Sequence, residues 1–300
     1  MTPGMWHSRE SRMRPRLFVP RPSIVALACV MVAGSALPLS AQRAPADTVG
    51  SSPGIPRQGS ALFSSRDATL LLGGIFISIE VGHYDTKIAR YAQTPSVQGD
   101  STRLRLVKSL TKANETTLTA AALVGYGLGR LTHSGVVTDV SAHVGEALLI
   151  TNVLSQAIRG PFGRARPYVT RENQNSDFHV GKGFTSYDYR SLPSLHSASA
   201  FAAASALTAE IQERHPGIAF PAGILLYSAA TIPGLTRMYL NQHWASDVIS
   251  GGLLGAFIGH KVVSHAHANP QNRLDRFLLG TTIAPLGHGA YAVAWSSTAP

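Results

Sequence analysis

Long apolar segments rich in Ala and Gly alternate with short polar breaks along the middle of the chain. Segments of this length are typical of helices rather than of strands. The predicted helices cover residues 67–81, 104–131, 137–158, 196–214, 218–232 and 244–265. Asp67 and Ser194 are residue types that cap helices, and they stand at the start of the first and the fourth. The pattern predicts an all-α helical bundle of about six core helices, in one domain at residues 66–267.

The N-terminal end follows a different pattern. Residues 1–41 carry five Arg and then an apolar run at 24–37, and small residues precede Gln42. This order is typical of a secretory signal peptide, with a retained N-terminal anchor as the alternative. Residues 42–65 show no periodicity and are predicted to be a flexible linker. The chain is therefore predicted to be exported, either to the periplasm or to the outer face of the cytoplasmic membrane.

The C-terminal tail, residues 268–300, also changes character. Tyr291, Val293 and Trp295 alternate with alanines, which is the period of a β-strand. The tail is predicted to form a small β-hairpin with strands at 278–284 and 290–296.

The length of the uncharged windows bears on membrane crossing. Most windows hold 12 to 14 residues, whereas a membrane-spanning helix needs about 20. The window at residues 215–236 is longer, but prolines interrupt it. These lengths favour an exported bundle that is soluble or peripherally attached to a membrane, with a six-span membrane protein as the alternative.

Charge and cysteine content narrow the range of partners. Only 14% of the residues are charged and 44% are apolar, and the net charge is +10. A modest basic excess suits an anionic substrate or a membrane surface. Since no run of Arg and Lys is interleaved with aromatic residues, no nucleic-acid partner is predicted. Cys29 is the single cysteine, so the chain beyond residue 41 has no disulfide and no Cys-based metal site.

Three polar clusters interrupt the apolar segments and supply cations. Arg159 stands seven residues before Arg166-Pro167, and Arg237 follows Thr236 in the third cluster. Guanidinium groups match phosphate oxygens in pairs, and they stabilise charge on the equatorial oxygens during phosphoryl transfer. Each of these arginines adjoins an apolar segment, which favours a binding role over plain surface solvation.

The same clusters supply reactive groups. His243 and Asp247 are four residues apart, so they share a helix face. The carboxylate can hold one ring nitrogen and present the other as a nucleophile. His196 follows Ser194 at a helix start, where backbone amides face an anion, and it can protonate a leaving oxygen and then activate water. These groups suit phosphoryl transfer without a metal.

Together the clusters resemble the motifs of the type 2 phosphatidic acid phosphatase family, whose fold is shared with vanadium haloperoxidases and bacterial class A acid phosphatases. The family pattern is a basic residue, six others and Arg-Pro; then Pro-Ser-Gly-His; then Ser-Arg, five others, His, three others and Asp. Here Arg159 stands for the common Lys, Leu195 for Gly and Thr236 for Ser. The resemblance covers about residues 65–265.

The resemblance implies a phosphatase without a metal or other cofactor. His243 would form a phosphohistidine, Asp247 would orient it, and His196 would be the general acid and base. The implied phosphate-binding residues are Arg159, Arg166, Ser194, Leu195 and Arg237. A Gly-to-Leu change at 195 narrows the site if the Gly serves close backbone approach, and it is tolerable in a first helical turn with ordinary dihedrals.

The substrate class stays open between phosphorylated lipids, such as phosphatidate or a polyprenyl diphosphate, and small soluble phosphoesters. The apolar composition favours lipid. The alternatives in function are a vanadium-dependent haloperoxidase with His243 as the axial ligand, a general soluble acid phosphatase, and a non-catalytic homologue that binds anions or lipids.

Two other features of the sequence bear on the candidate site and on metal binding. The long connection at residues 168–192 predicts either a lid over the site or a mobile surface loop, and its aromatic residues are Phe178, Phe184, Tyr187 and Tyr189. The histidines at 260, 265 and 267 have no carboxylate at ligand spacing along the chain, so no metal site is predicted there.

Overall fold

The computed structural model describes residues 63–170 and 174–269, together with the backbone of 281–287 and 290–295. The all-α prediction is confirmed for the described domain. Its helices are α1 (Ser65–Gly82), α2 (Asp85–Ala92), α3 (Pro95–Gln98), α4 (Ser101–Leu110), α5 (Glu115–Leu131), α6 (Gly135–Phe162), α7 (Lys182–Thr185), α8 (Leu195–Arg214), α9 (Pro216–Tyr239) and α10 (Ala245–Ala268), with a 3₁₀ turn at Tyr187–Tyr189.

The core lies around α8, which packs against α6, α9 and α10. Small residues let α8 and α10 approach closely. A Cβ atom on Gly251 would come within 2.4 Å of the Ser194 carbonyl oxygen, and one on Gly255 within 2.0 Å of the Ala198 carbonyl oxygen. Real Cβ atoms do not approach this closely, so glycine is required at both positions. The contact fixes the start of α10 beside the start of α8.

One predicted helix and one predicted turn differ from the observed elements. The predicted helix 104–131 is wrong as one element, since it divides into α4 and α5. Asn114 begins α5, where its side chain accepts from the amides of Thr116 and Thr117. An Asx cap of this kind favours a helix start over helix interior. The predicted turn at residues 95–100 also contains a helical turn, α3.

Prolines end fewer helices than the sequence suggested. The third predicted helix runs on through Pro161 and ends only at Gly163, whose φ of 54° lies in the left-handed region. The fifth runs through Pro221 and Pro233 to Tyr239. A proline inside a helix removes one backbone hydrogen bond, and packing of α6 and α9 against α8 outweighs that loss. As a consequence Arg159 and Arg237 lie on the last turns of helices.

The outer surface of the bundle is apolar. In the described residues, α9 is the one helix long and apolar enough to cross a membrane by length and composition. Twelve large apolar side chains, each more than half exposed, nevertheless lie on four of these helices. They are Leu72, Ile75, Phe76 and Ile79 on α1, Leu123, Val124 and Leu128 on α5, Leu149 and Val153 on α6, and Ile218, Phe220 and Leu225 on α9. We call these side chains the apolar belt.

The backbone of the tail forms two antiparallel strands, β1 (Thr281–Gly287) and β2 (Ala290–Trp295), as the hairpin prediction required. The predicted signal peptide at residues 1–41 and most of the predicted linker lie outside the described residues. The domain boundaries therefore stay predictions.

Candidate active site

The three polar clusters meet at one end of the bundle. Arg159 lies on the last turn of α6, His196 on the first turn of α8 and Arg237 on the last turn of α9. His243 lies between α9 and α10, and Asp247 is on the first turn of α10. The predicted site residues converge because neighbouring helices run in opposite directions, so the end of one lies beside the start of the next.

His243, the predicted nucleophile, is held in a buried position. Its side chain is buried, and Nδ1 lies 2.8 Å from the Ser191 carbonyl oxygen, to which it donates a hydrogen bond. This partner leaves the lone pair on Nε2, which lies 3.4 Å from Nη1 of Arg166. Burial lowers the pKa of His243 to about 3, the neighbouring Asp247 carboxylate opposes that shift, and the charge of Arg166 adds to it. A neutral imidazole with a free Nε2 can attack phosphorus.

Asp247 lies beneath this histidine, but its shortest contacts are elsewhere. Its nearer carboxylate oxygen is 3.7 Å from Nδ1 of His243. That oxygen accepts hydrogen bonds from the Ser191 hydroxyl at 2.5 Å and from the Trp244 amide at 2.9 Å. The other carboxylate oxygen of Asp247 accepts from Arg164 Nη1 at 2.6 Å. The ring is therefore held by its hydrogen bond to the Ser191 carbonyl, with the Asp247 carboxylate beside it as a charged neighbour.

Arg164 was not predicted as a site residue, and it ties the floor of the site together. Its guanidinium contacts Asp247 and also Asp85, whose Oδ2 lies 2.8 Å from Nη2. Asp85 in turn accepts from the Ser246 amide at 2.8 Å. All three charged side chains are buried. Two carboxylates sharing one guanidinium leave a net negative charge behind His243, which favours positive charge on its ring.

Buried donors line the side of the site that faces Nε2. The Nε atoms of Arg159 and Arg237 and the hydroxyl of Ser194 are buried without a hydrogen-bond partner among the described residues. Ser194 is the N-cap residue of α8, as predicted, but its side chain makes no capping bond. The first amides of α8 point out of the helix beside it. Such donors are costly to bury alone and suit an anion.

Arg166 is oriented by neighbours on three sides. It donates from Nε to the Tyr187 carbonyl at 3.1 Å and from Nη1 to the Gln242 carbonyl at 2.9 Å. The Tyr187 ring lies 4.0 Å from its guanidinium carbon, and the Tyr187 hydroxyl is 3.4 Å from Arg237. The charges of Arg159, Arg166 and Arg237 all act on His196. Three fixed cations therefore surround one small volume.

The segment 174–192 covers one side of the site as an ordered structure. Its backbone bonds to the end of α6 and the residues that follow, for example from the Ala165 amide to the Asp177 carbonyl and from the Arg166 amide to the Asp188 carbonyl, both at 2.9 Å. Phe178 lies over Arg164 and Tyr187 over Arg166. Of the two predictions for this stretch, a lid or a mobile surface loop, the structure favours the lid. Two of its aromatic residues contact arginines of the first polar cluster.

His196 has a partner that the sequence did not suggest. Its Nδ1 lies 3.5 Å from Oε2 of Glu115, the first residue of α5. The imidazole is 14% exposed, so its other nitrogen can reach a group that enters from solvent. Burial and the charge of Arg237 lower the pKa of His196 to about 4, and the Glu115 carboxylate opposes that shift. This arrangement suits a general acid and base.

A comparison with known families bears on this site. The family model of the PAP2 superfamily matches residues 141–270, which include every predicted site residue. Over these residues the chain is similar to the PAP2 superfamily. Its Arg159, Leu195 and Thr236 are the departures from the motif pattern given above.

One curated protein and one solved structure are similar to this chain. The lipid A 1-phosphatase of Porphyromonas gingivalis is 32% identical over 120 residues, which are 37% of this chain and 22% of that protein. The match thus spans about a fifth of the curated relative's length. The crystal structure of the first transmembrane PAP2 type phosphatidylglycerolphosphate phosphatase from Bacillus subtilis aligns with a TM-score of 0.49 and 18% identity, covering 70% of this chain and 99% of that one.

The Leu at position 195 of the PAP2 motif fits the site. Leu195 is the first residue of α8, and its side chain is buried. Among the described residues other than glycine, positive φ occurs at His133 and Asn241, so Leu195 has an ordinary backbone conformation. Its amide still belongs to the first turn of α8, so the structure agrees with a tolerated Leu in a first helical turn with ordinary dihedrals.

Proposed function

We propose that this chain is a lipid phosphatase that transfers a phosphoryl group to His243 and then to water. One observation carries the proposal: the buried His243 donates from Nδ1 to a carbonyl oxygen and holds Nε2 3.4 Å from Nη1 of the buried Arg166. A nucleophile facing fixed cations is the arrangement that phosphoryl transfer requires.

The reaction follows from the positions of the side chains. Nε2 of His243 attacks phosphorus, the P–N bond forms, and the bond from phosphorus to the leaving oxygen breaks. His196 donates its proton to that oxygen. Water then attacks the phosphohistidine, His196 takes a proton from it, the P–N bond breaks, and inorganic phosphate leaves. Arg159, Arg166 and Arg237 hold the equatorial oxygens in both steps.

The donor set explains why a metal is unnecessary. The side chains that face Nε2 are cations and a hydroxyl, which repel a metal ion and attract an anion. Of the nearby carboxylates, Asp85 and Asp247 are engaged by Arg164, and Glu115 lies beside His196. The arginines therefore supply the positive charge that a divalent metal supplies in other phosphatases.

We expect initial rates of phosphate release to be unchanged in excess chelator and to fall on addition of vanadate, because vanadate reproduces the transition-state geometry at phosphorus. The measurement is phosphate release from a panel of lipid and soluble phosphoesters. A halide-dependent oxidation in the presence of vanadate, without phosphate release, would support the haloperoxidase alternative. Loss of hydrolysis in chelator and its return with a divalent metal would contradict the mechanism.

The apolar belt supports a lipid environment for the domain. A soluble monomer rarely exposes a contiguous apolar patch above a few hundred Å², whereas the belt extends over α1, α5, α6 and α9. The functional descriptions of the two relatives agree with a lipid substrate. We infer that lipid surrounds the belt, and that a lipid phosphate reaches the site from the membrane. The basic and apolar N-terminus supports placing the site outside the cytoplasmic membrane.

Chain length of the substrate tests the lipid proposal. We expect kcat/KM for a long-chain phosphate in detergent to exceed that for its short-chain, soluble analogue by at least about tenfold, which is ~1.4 kcal/mol of transition-state binding. Apolar contact far from phosphorus can contribute this energy. Equal values, or a faster soluble ester, would assign the chain to the general acid phosphatases.

A further inference from the structure

A second group of polar side chains lies at the end of the bundle opposite the catalytic site. It consists of His143 on α6, Glu210 on α8 and His267 on α10. Glu210 follows His196 by 14 residues on the same helix, and at 1.5 Å per residue this places the two about 21 Å apart. The group is therefore separate from the phosphate-binding site, although the same three helices carry both.

The ring nitrogens converge on one carboxylate oxygen. Nδ1 of His143 lies 2.5 Å from Oε1 of Glu210, and Nε2 of His267 lies 3.1 Å from the same atom. The ligand atoms of all three residues lie within 4.8 Å of one another. In a tetrahedral zinc site with bonds of about 2.1 Å, ligand atoms are roughly 3.4 Å apart. Small side-chain rotations would bring these three atoms to that spacing.

The surroundings hold the carboxylate in a ligand-like orientation. Oε2 of Glu210 accepts from Nε of Arg214 at 2.9 Å, and Arg214 also contacts Asp139 at 3.2 Å. This leaves Oε1 directed at the two imidazoles. Partners of this kind, which fix a ligand from behind, accompany most protein metal sites. His143 and Glu210 are buried, while the His267 side chain is 31% exposed, so an ion can enter from solvent.

We propose that His143, Glu210 and His267 bind a divalent transition metal, and that zinc is the ion they suit best. Two imidazoles and one carboxylate with a fourth position open to water are a known zinc set. Calcium and magnesium prefer six or more oxygen ligands, which this group does not offer. Because the ligands come from α6, α8 and α10, the ion links the three core helices at this end. Its role is structural, and the phosphatase reaction does not use it.

The test measures metal content and stability on the full chain, purified in detergent without a histidine tag. After chelation and dialysis, the protein is titrated with zinc chloride, bound zinc is counted by mass spectrometry, and Tm is recorded with and without zinc. We expect one zinc per chain and a rise in Tm of several degrees. Glu210→Gln and His267→Asn should lose both, and His265→Asn, two residues from His267 on the same helix, should keep both.

The outcomes are exclusive. No stoichiometric zinc in the unaltered chain, or the same zinc content and Tm shift in His267→Asn, would overturn the proposal and leave an ion-pair cluster. His267 is partly exposed, so its replacement leaves a folded protein in which the result can be read. Phosphate release by His267→Asn should equal that of the unaltered chain at a temperature below both Tm values, which separates this proposal from that for the catalytic site.

Discussion

His243→Ala is expected to lower kcat for phosphate release by on the order of 10⁴-fold or more, because the proposed mechanism uses His243 as the nucleophile. Loss of a nucleophile in a covalent mechanism has effects of this size, because the remaining binding groups can activate water only weakly. Arg159, Arg166 and Arg237 stay in place in the variant, so KM should change much less than kcat. The measurement is steady-state hydrolysis of one lipid phosphate by the variant and by the unaltered chain.

Trapping the intermediate identifies the residue directly. With substrate labelled in the phosphoryl group, an acid-sensitive, base-stable phosphoenzyme should form in the unaltered chain and be absent in His243→Ala. His196→Ala should still form it from a substrate with a good leaving group and should lose it slowly, since the water attack lacks its base. His83→Ala, on the exposed end of α1, serves as the control. A His243→Ala variant that retains label would disprove the assignment.

Arg164→Met should lower the free energy of unfolding by about 3–5 kcal/mol, since it leaves two buried carboxylates without their cation. The same change should reduce kcat by roughly 10²-fold through small displacements of Asp247 and His243. Arg164→Lys should lie between, because one ammonium group cannot reproduce the guanidinium's separate bonds to Asp85 and Asp247.

The control for Arg164 is Arg105→Met, which removes an exposed arginine on α4 and should change unfolding by less than about 0.5 kcal/mol. Chemical denaturation in detergent gives the stability, and the same samples give kcat at a temperature where all are folded. Equal stability of Arg164→Met and Arg105→Met would show that the Asp85–Arg164–Asp247 network contributes nothing. Lower stability with unchanged kcat would show that the network does not position His243.

The predicted site residues could be found from the sequence because their chemistry and spacing are local. His243 and Asp247 stand one helical turn apart, and Ser194 directly precedes the helix it begins. Arg164, Glu115 and Ser191 were missed because their partners are distant in sequence. Arg164 was nevertheless detectable in principle: it is a third arginine within the first cluster of a chain that is poor in charge.

The proposed zinc site of His143, Glu210 and His267 shows the same limit. The sequence predicts no metal ligand at His267, because no carboxylate stands near it along the chain. Its carboxylate partner, Glu210, is 57 residues away and on another helix. Ligand sets assembled from the ends of separate helices leave no spacing signature, so the fold must be known before they can be recognised.

The helix bounds were predictable where a capping residue stands at the start of an apolar segment. They were not predictable where a capping residue type stands within a segment that otherwise favours helix. Asn114 interrupts an otherwise helical stretch, but an Asx residue in a helix interior and one at a helix start look alike without tertiary contacts. The apolar belt could not be predicted from the lengths of the uncharged windows. Charged residues at helix ends shorten the uncharged windows, and the windows were used to argue for short core helices.

The close contact between α8 and α10 divides the chain into regions of unequal freedom to vary. At Gly251 and Gly255 on this seam no larger side chain fits, so a random substitution at either position is nearly always harmful. On the apolar belt, lipid adapts to any side chain, and Leu, Ile, Val and Phe can replace one another at little cost. Diverging copies of this gene should therefore accumulate changes on α1 and α5 while the seam stays almost constant. A library of random variants selected for function should show the same contrast.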